Sequence, residues 1–322
     1  MGACAGVLLA AVLSPVNTFP LPATADGVAV GGISGLSRVT NDTYYAIVDK
    51  GRPRCLHRLT LGVDRTTGAV TNAAFAGSVT LAKGDDAEGV AWDAAAGWVW
   101  TADETDNAIR AFRPDGAFAA QVDMPKAFTR LVYNFGLESL ALQPDGKVLW
   151  TCNEEALAGD GPRAGMDAGS WIRLQRFTRA TPSAAWRPAG QWAYRTDSFG
   201  GKPFLDKSRS GVSDLLCLAD GTLLALEREL SVKKGSAVPS FRCRIYEIDF
   251  SGATDVANVP SLARGTFTPV AKKRRFAANT GLAMYEGVCL GPTLADGSQS
   301  VLLISDGGDG AANRVRALKL TP

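Results

Sequence analysis

A short motif that recurs five times along the chain decides which folds are open to it. Each copy places a polar residue, usually an acid, directly before an apolar run that is typical of a buried strand. The copies are GGISGLS (31–37), DAEGVAWD (86–93), FGLESLAL (135–142), GVSDLLCL (211–218) and YEGVCLG (285–291). Amphipathic helical patterns are hard to find between them. A repeat of this length built from strands is typical of a β-propeller, in which each copy forms one blade.

Each motif begins a set of strand-like runs. After AEGVAWD come WVWTADE, AIRAFRP and FAAQVDM, which together make four strands. The last set, from YEGVCLG to RVRALKL, is one strand short, whereas residues 17–21 (NTFPL) form a spare extended segment. We therefore predict an all-β chain with a single β-propeller domain over residues 17–322, five four-stranded blades and a ring closed by an N-terminal strand. Six blades is the alternative.

Residues 1–16 precede the predicted propeller. Their apolar stretch, AGVLLAAVL (5–13), is shorter than the roughly 20 residues of a membrane span, so no integral membrane span is expected. The stretch fits either the core of a signal peptide or an ordered N-terminal segment. On the first interpretation the protein is exported to the periplasm or the extracellular space.

The charge balance and the cysteine pattern exclude several classes of function. Lysine and arginine total 34 and aspartate and glutamate 32, so the chain has no excess of positive charge for nucleic acid. The six cysteines contain no CxxC pair, which excludes the common zinc and redox motifs. A single histidine, His57, and the lack of a GxSxG sequence argue against a Ser-His-Asp hydrolase. We expect a monomer that acts on a small molecule.

The propeller topology predicts that the acids of the repeat converge. First strands begin at the mouth of the channel where second strands end, because the two are antiparallel. Carboxylates this close repel one another unless a cation intervenes, and oxygen ligands without a Cys/His cluster favour Ca²⁺. The candidate metal ligands are Asp49, Glu88, Glu138, Asp214, Glu286 and Asp306. The candidates for binding an anionic substrate at the same mouth are Lys50, Arg52 and Arg228.

The ordered set of motifs resembles a known family. GGISGL, DAEGVA, NFGLESLAL, GVSDLLCL and YEGVCLGP, in this order over about residues 17–320, are similar to the bacterial "esterase-like activity of phytase" family, the phytase-like domain proteins. The resemblance implies hydrolysis of phosphoesters or esters by acidic residues, and export of many members. The positions that match the family's acidic residues are Glu88, Glu138, Asp214, Glu227-Arg228, Glu286 and Asp306, and its strand arginines match Arg173 and Arg244.

We therefore predict an exported calcium-dependent hydrolase of a small anionic phosphoester. The candidate bases are Glu104, Glu155 and Glu227. A carboxylester or lactone substrate would use the same metal, and a non-catalytic binding propeller would use the acids only as braces. The metal-dependent hydrolases and the binding propeller differ in the expected geometry of the acids. A metal site requires at least three carboxylates within about 5 Å of one another. Bracing requires that they pair with Arg173, Arg244 and loop amides.

Overall fold

The strands form five antiparallel four-stranded sheets in the computed structural model, which describes residues 12–49, 54–130, 132, 136–307 and 312–321. The chain begins with β1 (Val12–Pro20) and the short hairpin of β2 (Thr24–Ala25) and β3 (Val28–Ala29). Blade 1 contains β4 (Ile33–Arg38), β5 (Thr43–Val48), β6 (Cys55–Val63) and β7 (Val70–Thr80). Blade 2 contains β8 (Ala87–Asp93), β9 (Trp98–Asp103), β10 (Ala108–Phe112) and β11 (Phe118–Gln121).

The remaining blades follow in chain order. Blade 3 contains β12 (Ala141–Leu142), β13 (Val148–Cys152), β14 (Trp171–Thr178) and β15 (Arg187–Arg195). Blade 4 contains β16 (Arg209–Cys217), β17 (Leu223–Val232), β18 (Pro239–Asp249) and β19 (Ala271–Gly281). Blade 5 contains β20 (Met284–Thr293), β21 (Gln299–Asp306), β22 (Arg314–Thr321) and, as its outermost strand, β1.

Within the described ranges, helix is limited to two single turns of 3-10 helix, Lys126–Thr129 and Leu205–Lys207. Among the described residues, no helix has the length and apolar character needed to cross a membrane.

The five first strands close into a ring. β4 contacts β8, β8 contacts β12, β12 contacts β16, β16 contacts β20, and β20 returns to β4. This is a five-bladed β-propeller, so the predicted fold is confirmed and the six-bladed alternative is excluded.

The ring is closed as predicted, by a strand from the N-terminal end of the chain. β1 pairs with β22 in antiparallel register, from Val12 opposite Thr321 to Pro20 opposite Arg314. This strand starts at Val12, before the predicted domain boundary at residue 17, and most of the predicted signal segment lies outside the described residues. The Asn17 side chain also joins blade 5 to blade 1, because its amide donates to the Val70 carbonyl and accepts from the Val70 N–H.

The Asp-Gly pairs of the sequence form the hairpin turns between first and second strands, as their chemistry predicts. Gly146, Gly221 and Gly297 all have positive φ angles, of 70°, 89° and 82°. In each turn the preceding aspartate accepts a hydrogen bond from the backbone N–H two residues on, as Asp145 does from Lys147 at 2.9 Å. These turns lie at the end of the channel opposite the motif residues.

Candidate functional site

The second strand of each blade ends at the same mouth of the channel. There, each blade has one charged residue in an equivalent backbone position. In blade 2 the Glu104 N–H donates to the Asp86 carbonyl at 2.8 Å, and in blade 4 Arg228 pairs with Gly211 in the same position. The five equivalent residues, here called the outer ring, are Asp49, Glu104, Glu154, Arg228 and Asp306. Four are acids, and blade 4 contributes an arginine instead.

The motif residues form a second ring inside the first. Each lies in a β-bulge, where the first strand has one residue more than its partner. In blade 2, for example, the register passes from Ala87–Asp103 to Gly89–Ala102 and leaves Glu88 without a partner residue on β9. The five equivalent residues, here called the inner ring, are Ser34, Glu88, Glu138, Ser213 and Glu286. Three of them are glutamates.

The glycine that follows the acid in the Glu-Gly motif has a packing reason. A Cβ atom added to Gly89 would lie 2.7 Å from both the Ser139 carbonyl carbon and the Leu140 nitrogen of the next first strand. Real Cβ atoms do not approach a backbone so closely, so glycine allows neighbouring first strands to meet directly below the inner ring.

Asp214 lies one residue beyond the inner ring, in the position that Gly89 takes in blade 2. Its Oδ1 accepts from the Leu215 N–H and its Oδ2 from the Val288 N–H of blade 5, both at 2.8 Å. The bulge in β16 thus gives the motif position to Ser213. The structure does not bring Asp214, a predicted metal ligand, into the group of converging carboxylates; it links two blades through backbone hydrogen bonds.

Glu88 is common to two groups of carboxylates whose oxygens converge. One oxygen from each of Glu88, Glu104 and Glu138 lies within 4.8 Å of the others, and the same holds for Asp49, Asp86 and Glu88. The side chains of Glu88, Glu104 and Glu138 are buried. Calcium binds oxygens at about 2.3–2.6 Å, so oxygens bound to one ion are separated by up to about 5 Å, and each trio meets that limit.

Burial and mutual repulsion raise the pKa values of these acids. For Glu88 the largest cause is burial, followed by the charges of Glu286 and Asp49, and its pKa lies well above the usual range. Burial and the charge of Glu154 raise the pKa of Glu104 to about 7 and raise that of Glu138 well above normal. Burial raises the pKa of Glu286 to about 8, although Arg228 opposes it. Without a cation the mouth therefore favours protonated carboxyl groups.

Arg228 balances the acids on one side of the mouth. Its Nη2 lies 2.7 Å from Glu154 Oε1 and 3.7 Å from Glu138 Oε1, and its Nη1 donates to Glu286 Oε1. The guanidinium is buried together with all three carboxylates. Three carboxylates therefore occupy the guanidinium of Arg228, and the direct contact with substrate predicted for it stays a prediction.

One buried carboxylate oxygen of the mouth is left over for a cation. Glu154 Oε2 is buried and accepts no hydrogen bond from any group in the described part of the chain. Burying an unpartnered charged oxygen is costly, and a hard cation is the usual partner of such an oxygen. The donor set, made only of oxygens, also suits calcium. The residues present therefore fit a calcium ion.

The other predicted site residues have different environments. Glu286 and Asp306 reach the mouth in blade 5, where the charge of Asp306 contributes to the raised pKa of Glu286. Glu155 lies one residue beyond the outer ring and pairs with Arg163 at 2.9 Å. Glu227 faces away from the mouth, where Tyr194 and Lys272 each donate to it at 2.5 Å. Lys50 and Arg52 lie outside the described residues.

The strand arginines do not brace the converging acids. Arg173 forms a buried ion pair with Asp160, with Nε 2.6 Å from Oδ2, and Arg244 pairs with Glu229 on the neighbouring strand. Loop amides contribute one hydrogen bond to the Glu88–Glu104–Glu138 trio, from Gly136 N–H to Glu104 Oε1 at 3.2 Å. The oxygen separations of this trio are those expected for a metal site. Asp214, by contrast, has the backbone hydrogen bonds expected of a residue that links neighbouring strands.

Two residues of the mouth were given no role as metal ligand or base from the sequence. Glu154 belongs to the outer ring, and the shared pattern W-T-x-x-E of WTADE and WTCNE could have aligned it with Glu104. Asp86 belongs to one carboxylate trio and lies in the loop before β8. Its position two residues before Glu88 in the sequence could have indicated that it lies near the same site.

Structural comparison finds other propellers at low sequence identity. A periplasmic gluconolactonase from Pseudomonas aeruginosa aligns over 97% of this chain and 99% of its own, with 12% identity and a TM-score of 0.40. A putative 6-phosphogluconolactonase from Bacteroides uniformis aligns over 87% and 81%, with 14% identity and a TM-score of 0.40. The PQQ-bound aldose sugar dehydrogenase from Streptomyces coelicolor aligns over 96% and 100%, with 11% identity and a TM-score of 0.38.

Sequence comparison is more specific. No curated protein sequence matches the chain significantly. The sequence pattern of one family, described as "Phytase-like: Esterase-like activity of phytase", matches residues 28–307 and so spans all five blades. The chain therefore belongs to the phytase-like family of esterase-like activity.

Proposed function

We propose that this protein is a calcium-dependent hydrolase of small phosphoesters, with its active site at the carboxylate-lined mouth of the propeller. The observation that carries the proposal is the convergence of Glu88 with two sets of carboxylates, each within 4.8 Å. Membership of a family described by esterase-like activity of phytase supports hydrolysis as the reaction. Export to the periplasm or beyond remains a prediction from the sequence.

The residues that would hold calcium are Glu88 and Glu138 on first strands, with Asp49 and Asp86 beside them. A bound calcium ion would supply positive charge that neutralises a phosphate group and makes a water molecule more acidic. The raised pKa values of Glu88 and Glu138 are consistent with this role, since a cation would relieve the repulsion that produces them.

Glu104 is the residue that we propose as general base. Of the three predicted bases, Glu104, Glu155 and Glu227, it is the one that belongs to a converging trio. The Gly136 N–H holds its Oε1 at 3.2 Å and so fixes the orientation of the carboxylate. Its pKa is about 7 without a cation, and a calcium ion beside it would lower that pKa, so the carboxylate would be ionised and able to accept a proton from water near neutral pH.

Substrate binding requires cations that solvent can reach. Arg228 is buried and occupied by three carboxylates, so we assign it no direct contact with substrate. Lys50 and Arg52 follow Asp49 of the outer ring in the chain and remain the proposed binding residues for an anionic substrate.

The test is hydrolysis of a phosphomonoester, a phosphodiester, phytate, a carboxylester and a lactone by EDTA-treated protein, before and after calcium is restored. We expect calcium-restored turnover of a phosphoester, and a loss of at least 100-fold in Glu88→Gln. Glu155→Gln serves as the control and should keep most of the activity, because Glu155 pairs with Arg163 outside the trios.

If calcium restores turnover of a carboxylester or lactone alone, the proposed substrate class is wrong, whereas the proposed role of the metal is supported. No calcium-restored turnover of any member by the folded protein would contradict the proposed function in favour of a binding propeller.

A further inference from the structure

Blade 4 departs from the pattern of the mouth at both ring positions. It has Arg228 where the other blades have Asp49, Glu104, Glu154 and Asp306, and Ser213 where three blades have a glutamate. The backbone registers are equivalent, so the difference lies in the side chains. One position of a five-membered carboxylate ring is therefore occupied by a fixed positive charge.

Arg228 is held at the centre of one half of the mouth. Its Nε and Nη2 both donate to Glu154 Oε1, at 3.2 and 2.7 Å, and its Nη1 donates to Glu286 across to blade 5. Its Nη1 also donates to the Met284 sulfur at 3.0 Å. The guanidinium therefore occupies the space between the acids of blades 3 and 5.

Two glutamates in the other half of the mouth have a different environment. Neither Glu88 nor Glu104 forms an ion pair within 4.0 Å with any basic side chain in the described part of the chain. Both belong to the converging trios, together with Glu138. The mouth is thus divided into a half with an arginine and a half in which the carboxylates face one another.

We propose that Arg228 is an internal counter-ion that takes the place of a second metal ion and confines calcium to the half of the mouth formed by blades 1 to 3. A guanidinium stays protonated at all physiological pH values, and the oxygens that it binds are not available as metal ligands. This inference rests on the proposed function in one respect, namely that the first half binds calcium.

Removal of this charge should create a new cation site. Without the guanidinium, Glu154 and Glu286 would be two buried carboxylates without a cation beside Glu138, and Glu154 Oε2 has no hydrogen-bond partner even in its presence. This arrangement would resemble that of the trios around Glu88. Calcium should then bind in the space left by the arginine.

The test is calcium-binding stoichiometry, measured by isothermal titration calorimetry and equilibrium dialysis on EDTA-treated protein. We expect Arg228→Gln to bind one calcium ion more than the wild type, and Arg228→Lys, which keeps the charge, to match the wild type. The triple variant Glu154→Gln, Arg228→Gln, Glu286→Gln removes the new ligands and should return to the wild-type number. An unchanged stoichiometry in folded Arg228→Gln would overturn the proposal.

Stability supplies a second readout, because Arg228→Gln leaves buried acids unpaired. We expect its midpoint of thermal unfolding to rise more with calcium than that of the wild type. A variant that stays unfolded at every calcium concentration would also contradict the proposal, since the ion should replace the lost charge. If the wild type binds no calcium but Arg228→Gln binds one ion, the proposed function fails and calcium is not confined to the first half, whereas Arg228 still takes the place of a metal ion.

Discussion

At the scale of residues, the mouth concentrates acids that the fold holds close together. The three glutamates of the inner ring are buried, and their pKa values are raised by burial and then by one another and the outer ring. A protein that gained nothing from these charges could replace them with apolar residues at little cost in stability. Their presence is therefore best explained by the cation that we propose they bind.

The raised pKa values give the calcium-free protein a specific pH dependence. Glu104 and Glu286 have pKa values of about 7 and about 8 in the folded state, against about 4.3 in an unfolded chain. Between these values the folded state binds more protons, so this contribution to stability is complete below about pH 4 and is lost as pH rises to about 8. Calcium should remove the loss.

The measurement is the midpoint of thermal unfolding from pH 5 to pH 9, with EDTA and with calcium. We expect the gain from calcium to grow with pH. The gain from calcium in the Glu155→Gln variant should match that of the wild type, because Glu155 belongs to neither trio. A gain from calcium that is independent of pH would contradict the interpretation.

At the scale of elements, the β-bulges decide which side chains reach the mouth, and they also limit what the sequence could predict. The repeat predicted the blades, their first strands and the convergence of Glu88, Glu138 and Glu286. It could not predict the position of Asp214, because neighbouring strand residues face opposite sides and a bulge shifts the register by one. The same one-residue difference turns Glu227 away from the mouth and places Arg228 in it.

The close approach of first strands below the inner ring makes the glycine of the Glu-Gly motif a structural requirement. Gly89→Ala would place a Cβ 2.7 Å from the backbone of blade 3, and such overpacking typically costs about 1–3 kcal/mol. We expect a loss of that size in the free energy of unfolding, measured in urea. Gly31→Ala is the control, because nothing lies within 4 Å of its added Cβ. Equal stability of the two variants would show that the strands can separate at no cost.

At the scale of the whole molecule, we expect stability to depend on the pairing of β1 with β22, here called the joint, which closes the ring. β1 covers the edge of β22, and Asn17 links the joint to blade 1. Without this strand, β22 would present unpaired N–H and C=O groups, which promote pairing with other chains.

Deletion of residues 12–20 together with the preceding segment should therefore lower the midpoint of thermal unfolding and cause concentration-dependent association. The measurements are differential scanning calorimetry and light scattering after size-exclusion chromatography. Deletion of residues 1–11 alone is the control, because it leaves β1 complete. If the longer deletion has the same thermal midpoint and mass behaviour as the control, the ring does not depend on the joint.

The same joint sets the order in which the protein can be made. Val12 and Thr321 are neighbours in the fold but 309 positions apart in the chain, so β1 has no partner until the ribosome has synthesised β22. The mouth needs residues from every blade, from Asp49 to Asp306, and it too can form only after Asp306 has been synthesised. A nascent chain should therefore stay without the complete ring, and without the proposed metal site, until the strands of blade 5 have been made.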